Sequence, residues 1–213
     1  MRTKCGKIRK TKGVWMMRKK GNRDTKRKIV AAAWKLFYEQ GYDNTTVDDI
    51  IYESETSKGS FYHYFSGKDA LLSSLSEVFD EKYEELSETL SPDLSAMEKL
   101  LVMNRELFRL IEDSISIDLL ARLLSSQLVT KSEKHLLDHN RTYYKLLRAT
   151  IREGQEKGEL TKDESVNDIV KAYALYERAL MYDWCLCNGE YSLSDYSRRM
   201  LPKFLAGYAA VRG

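Results

Sequence analysis

The 213-residue chain is 43% hydrophobic and 31% charged, with a formal net charge of +3, which allows one or two compact domains and excludes disorder throughout. It has no run of about 18 or more apolar residues, and no apolar segment follows its first basic residues, so neither a membrane span nor a secretory leader is expected and the protein reads as cytoplasmic. Its three cysteines, Cys5, Cys185 and Cys187, make no disulfide framework, and the close pair lies roughly 200° apart around a helix, too far for one shared metal ion.

Charge is unevenly placed. Residues 1–28 hold thirteen Lys or Arg against Asp24 alone, while the remainder holds 22 basic and 31 acidic residues. A basic arm, residues 1–22, therefore precedes an acidic body; it serves either as a solvated tail or as a contact for a polyanion.

Asp24 reads as an N-cap, and Ile29, Ala32, Ala33, Leu36 and Phe37 follow at helical spacing until Gly41 supplies a stop. Thr46 with Asp49 three residues later has the capping-box pattern, which predicts a second helix over 47–53 with Val47, Ile50 and Ile51 facing inward. Ser57 opens a third short helix over SKGSFYHYF, residues 57–65. Ser66 with Asp69 opens a longer fourth, from about Gly67 to Leu90 and roughly 35 Å in length. Three short helices within about 45 residues, the second and third joined by a tight turn, have the layout of a helix-turn-helix unit.

Five or six further helices follow, broken at SPD (91–93), near EDS (112–114), at TKSE (130–133), between Gly154 and Gly158, and at NGEYS (188–192). Leu100, Met103, Leu107, Leu110 and Ile111, then Leu119, Leu120, Leu123, Leu124 and Leu128, recur at three and four and predict an amphipathic bundle. The last two helices, the final one capped by Ser192 with Asp195 and carrying Pro202, are apolar on more than one side. That surplus predicts an oligomer interface through Tyr173, Leu180, Phe204, Leu205 and Tyr208. Met103, Phe108, Tyr143, Tyr144, Tyr176 and Trp184 supply material for a ligand cavity, although the same residue types serve equally as core. His135 and His139 stand four apart beside Asp138, the spacing of two imidazoles on one helix face, but no third ligand accompanies them and no metal site is expected. No nucleophile or carboxylate set surrounds His63, and no Gly-rich phosphate loop occurs, so no catalytic residue and no cofactor is expected.

The stretch IVAAAWKLFYEQGYDNTTVDDIIYESETSKGSFYHYFSGKDALL, residues 29–72, resembles the N-terminal domain of the tetracycline-repressor (TetR) family of transcriptional regulators. Its pattern runs from an Ala-rich LF helix through G-[YF]-x-x-T-T and S-x-G-x-[LF]-Y-x-[HY]-F to a Lys opening helix four. Two positions depart from it. Ile51 is bulky where the family usually has Ala, and Glu55-Thr56 replaces Gly-Val in the turn, so a left-handed Glu55 costs about 1 kcal/mol.

The resemblance implies an all-α homodimer with a helix-turn-helix DNA-binding domain over 23–68. A long helix joins it to a helical ligand-binding and dimerisation domain over 69–213. Ser57, Lys58, Gly59 and Ser60 are then placed at base edges and nearby phosphates of double-stranded DNA. By the same resemblance Tyr62, His63 and Tyr64 meet the DNA backbone and thymine methyls, Thr46 and Lys68 reach phosphates, and Phe61 and Phe65 pack on helix one. The implied activity is repression at a palindromic operator, released when a small-molecule inducer of unknown identity tilts helix four. Two readings from other classes stay open: an architectural or partner-binding protein without a specific operator, and an enzyme hosted by the helical domain.

Overall fold

The computed structural model describes residues 23–72, 74–129 and 134–210; the basic arm and the break at 130–133 lie outside the described residues. The described chain is helical, with one isolated antiparallel bridge between Leu160 and Ala209. The first three helices are α1 (Arg23–Gln40), α2 (Val47–Glu53) and α3 (Lys58–Tyr64). After a 3-10 turn over Lys68–Leu71 come α4 (Ser74–Thr89), α5 (Ala96–Ser114) and α6 (Ile117–Val129), and after a second over His135–Leu137 come α7 (Thr142–Glu156), α8 (Val166–Leu186) and α9 (Leu193–Ala206). No helix among the described residues is long and apolar enough to cross a membrane.

Local chemistry accounts for most helix ends. Thr46 caps α2 in a reciprocal box with Asp49, Ser57 caps α3 by accepting from the Ser60 N–H, and Ser192 caps α9 by accepting from the Asp195 N–H. Gly41 ends α1 with φ +84°. Glu55 does take the left-handed turn position, at φ 51°. The Ser54 and Thr56 hydroxyls meet at 2.8 Å across that turn, and the Thr56 N–H donates to the Ile51 carbonyl.

Two boundaries differ from expectation. Asp24 lies inside the first turn of α1 rather than ahead of it. Ser66 caps nothing: the turn after Gly67 has no side-chain cap, and α4 starts only at Ser74. The fourth helix therefore has 16 residues and is about 24 Å long, not roughly 35 Å.

The helix-turn-helix core gathers Ile29, Ala33 and Phe37 of α1, Ile50 of α2, and Phe61 and Phe65. In the rest of the chain α5 is central, packed against α4, α7 and α9, while α8 packs against α6, α7 and α9. The α5–α7 approach requires Gly154, because a Cβ there would lie 2.6 Å from Ala96 Cβ.

Polar contacts join the two parts. The Trp34 indole N–H donates to Ser74 Oγ at 3.1 Å. Arg122 of α6 donates to Asp43 at 2.5 Å and lies over the Tyr42 ring at 4.8 Å.

Candidate nucleic-acid interface and ligand cavity

Helix α3 is split between core and solvent. Phe61 and Phe65 are buried, whereas Ser57, Lys58, Gly59, Tyr62 and His63 are exposed and Ser60 and Tyr64 half-buried. Tyr62, at 50% exposure, leans edge-on against Phe61 at 5.3 Å. The Lys58 ammonium lies 3.4 Å from an Asp48 carboxylate oxygen with both side chains in water, a pair weak enough to exchange for another anion. A Cβ on Gly59 would meet nothing closer than Ser57 Oγ at 3.9 Å, so the fold itself does not require glycine there.

Both expected phosphate contacts are occupied differently. The Lys68 ammonium donates to the Tyr42 carbonyl at 2.7 Å and the Thr45 carbonyl at 2.9 Å, and lies 4.3 Å from the centre of the Tyr42 ring. It staples the α1–α2 loop to the start of the next segment, an internal role in place of a free phosphate contact. Tyr42 also donates its hydroxyl to Asp69. The Thr46 hydroxyl donates to Asp49 at 2.7 Å while accepting from the Asp49 N–H at 3.1 Å, and these bonds hold the Asp49 carboxyl below its ordinary range. With Asp48 beside it, the start of α2 presents two acidic residues where a phosphate was expected.

A small cavity of about 30 Å³ lies among α4, α5, α6, α7 and α8, walled largely by Phe79, Leu107, Leu120, Leu123, Leu124 and Met181. Of the six residues expected to line one, Tyr143 does. Met103 and Phe108 are fully buried in packed core; Tyr144 donates its hydroxyl to the Leu136 carbonyl at 3.1 Å. Tyr176 stacks on Phe204 at 4.8 Å, and the Trp184 indole donates to the Tyr191 carbonyl at 2.8 Å. The sequence reading missed the polar residues of the wall: Tyr83, Arg141, Glu177 and Arg178. Glu177 accepts from Asn104 Nδ2 at 3.0 Å and from the Tyr143 hydroxyl at 2.7 Å. Burial raises its pKa against the opposing pull of those hydrogen bonds, and burial with the neighbouring Glu177 pushes Tyr83 and Tyr143 up as well. Arg141 donates to Asp80 at 2.8 Å and to the Ser76 carbonyl at 3.0 Å, tying α7 to α4.

The expected oligomer face also changes. Tyr173 and Leu205 are buried inside the subunit, the former donating its hydroxyl to the Leu100 carbonyl at 2.7 Å, so both belong to the core. Leu180, Phe204 and Tyr208 are half-buried. The exposed apolar residues of α8 are Leu175, Tyr182 and Leu186, which fall on one stripe at i, i+7 and i+11. His135 lies in the second 3-10 turn and His139 beyond it, so the helix face on which they were to meet does not exist. Among the described residues no group of three His, Cys, Asp or Glu is placed to hold a metal ion.

Residues 29–75 match the family "Bacterial regulatory proteins, tetR family". An uncharacterised helix-turn-helix regulator from the lacX 3' region of Lactococcus lactis subsp. lactis is 48% identical over 46 residues, 22% of this chain and 24% of that protein. The chain spans about a fifth to a third of the length of the first curated relatives it matches. Solved structures share the fold over nearly their whole length. Bacillus subtilis FadR in complex with stearoyl-CoA has a TM-score of 0.68 at 22% identity, covering 85% of this chain and 98% of that one. Thermus thermophilus FadR with lauroyl-CoA has a TM-score of 0.70 at 22% identity, covering 88% and 96%.

Proposed function

We propose that this chain, a tetR-family protein by its N-terminal domain and its fold, is a homodimeric repressor that binds a two-fold symmetric DNA site and leaves it when a small molecule enters the helical domain. The observation that carries the DNA reading is α3. It turns Lys58, Gly59, Tyr62 and His63 to solvent on a helix anchored by Phe61 and Phe65, and keeps a glycine that the fold does not need. A helix presented this way fits a major groove, its glycine allowing close approach and its lysine meeting bases or phosphates. Dimerisation through the α8 stripe of Leu175, Tyr182 and Leu186 supplies the second half-site reader.

The ligand site proposed is the cavity bounded by α4 to α8, whose apolar walls suit an alkyl or aryl body. At about 30 Å³ it is closed around no more than a few waters, so a metabolite enters only by moving its walls. Two walls lead to the DNA-binding part. Leu120, Leu123 and Leu124 flank Arg122, which holds Asp43, and α4, bound to α7 through Asp80 and Arg141, is bonded to α1 through Ser74 and Trp34. Outward movement of α6 or α4 then reorients α3. Titrating the ligand with and without a duplex selected by the protein tests this, because a ligand that weakens DNA binding by some factor must bind the DNA complex more weakly by that same factor. Equal ligand affinity in both titrations would refute release.

A further inference from the structure

The cavity has one polar pole, and its two key groups are unsatisfied in complementary ways. Glu177 is the one carboxyl among the described residues that is buried, at 2% exposure. Three helices other than its own hold it in place: Asn104 of α5 and Tyr143 of α7 donate to its two oxygens, and Ser197 of α9 donates to Asn104 Oδ1 at 2.6 Å, which turns the Asn104 amide nitrogen toward Glu177. A carboxylate has about four acceptor positions, and these two donors fill half of them. Tyr83 of α4 lines the same cavity at 1% exposure, its ring 4.9 Å from that of Tyr143, and its hydroxyl has no hydrogen-bond partner among the described residues. A buried polar atom left in that condition calls for a missing partner.

We propose that Glu177 and Tyr83 form a subsite for the protonated nitrogen of an apolar amine that carries at least one N–H. This rests on the cavity being the regulator's ligand site. Such a cation donates to the open positions of Glu177 and to the Tyr83 oxygen, balances the carboxylate charge, and lies beside the Tyr83 and Tyr143 rings. No side chain of the cavity already does this. Arg141 is engaged by Asp80 and the Ser76 carbonyl, and Arg178 donates to the Tyr144 hydroxyl at 3.2 Å. The remaining wall, including Phe79, Leu107, Leu123 and Met181, receives the alkyl or aryl body. A quaternary ammonium has the charge but no N–H, and an alcohol donates a hydrogen bond but has no charge, so each satisfies half of the site.

The test is calorimetric titration of the full-length protein, without DNA, using octylamine and 2-phenylethylamine, their matched alcohols, octyltrimethylammonium, and stearoyl-CoA. The amines are expected to bind at least about tenfold more tightly than either comparison set. Glu177→Gln should remove that advantage while leaving alcohol binding unchanged, and Tyr83→Phe should erase the preference for an N–H over a quaternary nitrogen. Circular dichroism checks that each variant is folded; if Glu177→Gln is not, the ligand series on the wild type and Tyr83→Phe decides. Amines that do not bind, amines that bind no better than their alcohols, or binding of stearoyl-CoA alone with Glu177→Gln indifferent would each overturn the assignment. Amine binding that depends on Glu177 yet leaves DNA affinity unchanged would instead keep the subsite and refute the regulatory reading.

Discussion

Gly59→Ala should raise the stability of the protein and lower its affinity for DNA, two changes that folding alone cannot link in this direction. Gly59 is the second residue of α3, has an ordinary φ, and offers open space where its Cβ would be, Ser57 Oγ being the nearest atom at 3.9 Å. Alanine in a helix is favoured over glycine by about 0.5–1 kcal/mol, with the lower end fitting a first-turn position. If α3 lies in a major groove, the added methyl enters the gap between backbone and bases and displaces one or two close contacts. Each is worth about 1–3 kcal/mol, so affinity should fall about ten- to a hundredfold, and further for Gly59→Leu. Urea denaturation reads the first change, and fluorescence anisotropy on a duplex selected from a randomised pool by the wild type reads the second. Wild-type DNA affinity in both variants would show that this surface does not face DNA.

Lys68→Ala should lower stability by about 1–3 kcal/mol, because it removes the ammonium that holds the Tyr42 and Thr45 carbonyls, while Lys58→Ala should leave stability within about 0.5 kcal/mol and alter base preference at one position per half-site. Leu186→Glu on the exposed stripe should give helical monomers in sedimentation, whereas Leu205→Glu, in the subunit core, should unfold the chain. Burial raises the Glu177 pKa, so above the ordinary carboxylate range the folded state retains a proton that the unfolded chain has released, and stability declines as pH rises toward the folded value. Glu177→Gln should therefore gain stability relative to the wild type between about pH 5 and pH 8 and show no relative gain below about pH 4; urea midpoints across that range check the sign.

The local features were legible because they depend on neighbours in sequence. Thr46 with Asp49, Ser57 and Ser192 announce their caps, and the replacement of glycine at position 55 announces a left-handed glutamate. The pattern at Ser66 and Asp69 is the same signature, yet it makes no cap there. Asp69 instead receives the Tyr42 hydroxyl from across the domain. Lys68 was likewise read as a solvent-facing cation, and only the fold brings two carbonyls and an aromatic ring to it.

The cavity and the oligomer face were harder to read, for one physical reason. Core, cavity wall and subunit interface use the same apolar residues, and spacing along a helix does not say what stands opposite. Tyr173 and Leu205 meet their own subunit, and Met103 and Phe108 leave no gap. Glu177 had a readable signal: a lone acid four residues after Tyr173 and four before Met181 on an apolar stripe.

The central claim is sequence-specific DNA binding by a dimer, and the most direct measurement compares the selected duplex with a scrambled one of equal length at about 150 mM salt. Specific binding should exceed non-specific binding by at least about 10³-fold, with one dimer on a palindrome whose half-sites lie about 34–36 Å apart or a multiple of that. Equal affinity for the two duplexes, or selection that enriches no sequence, would contradict the account.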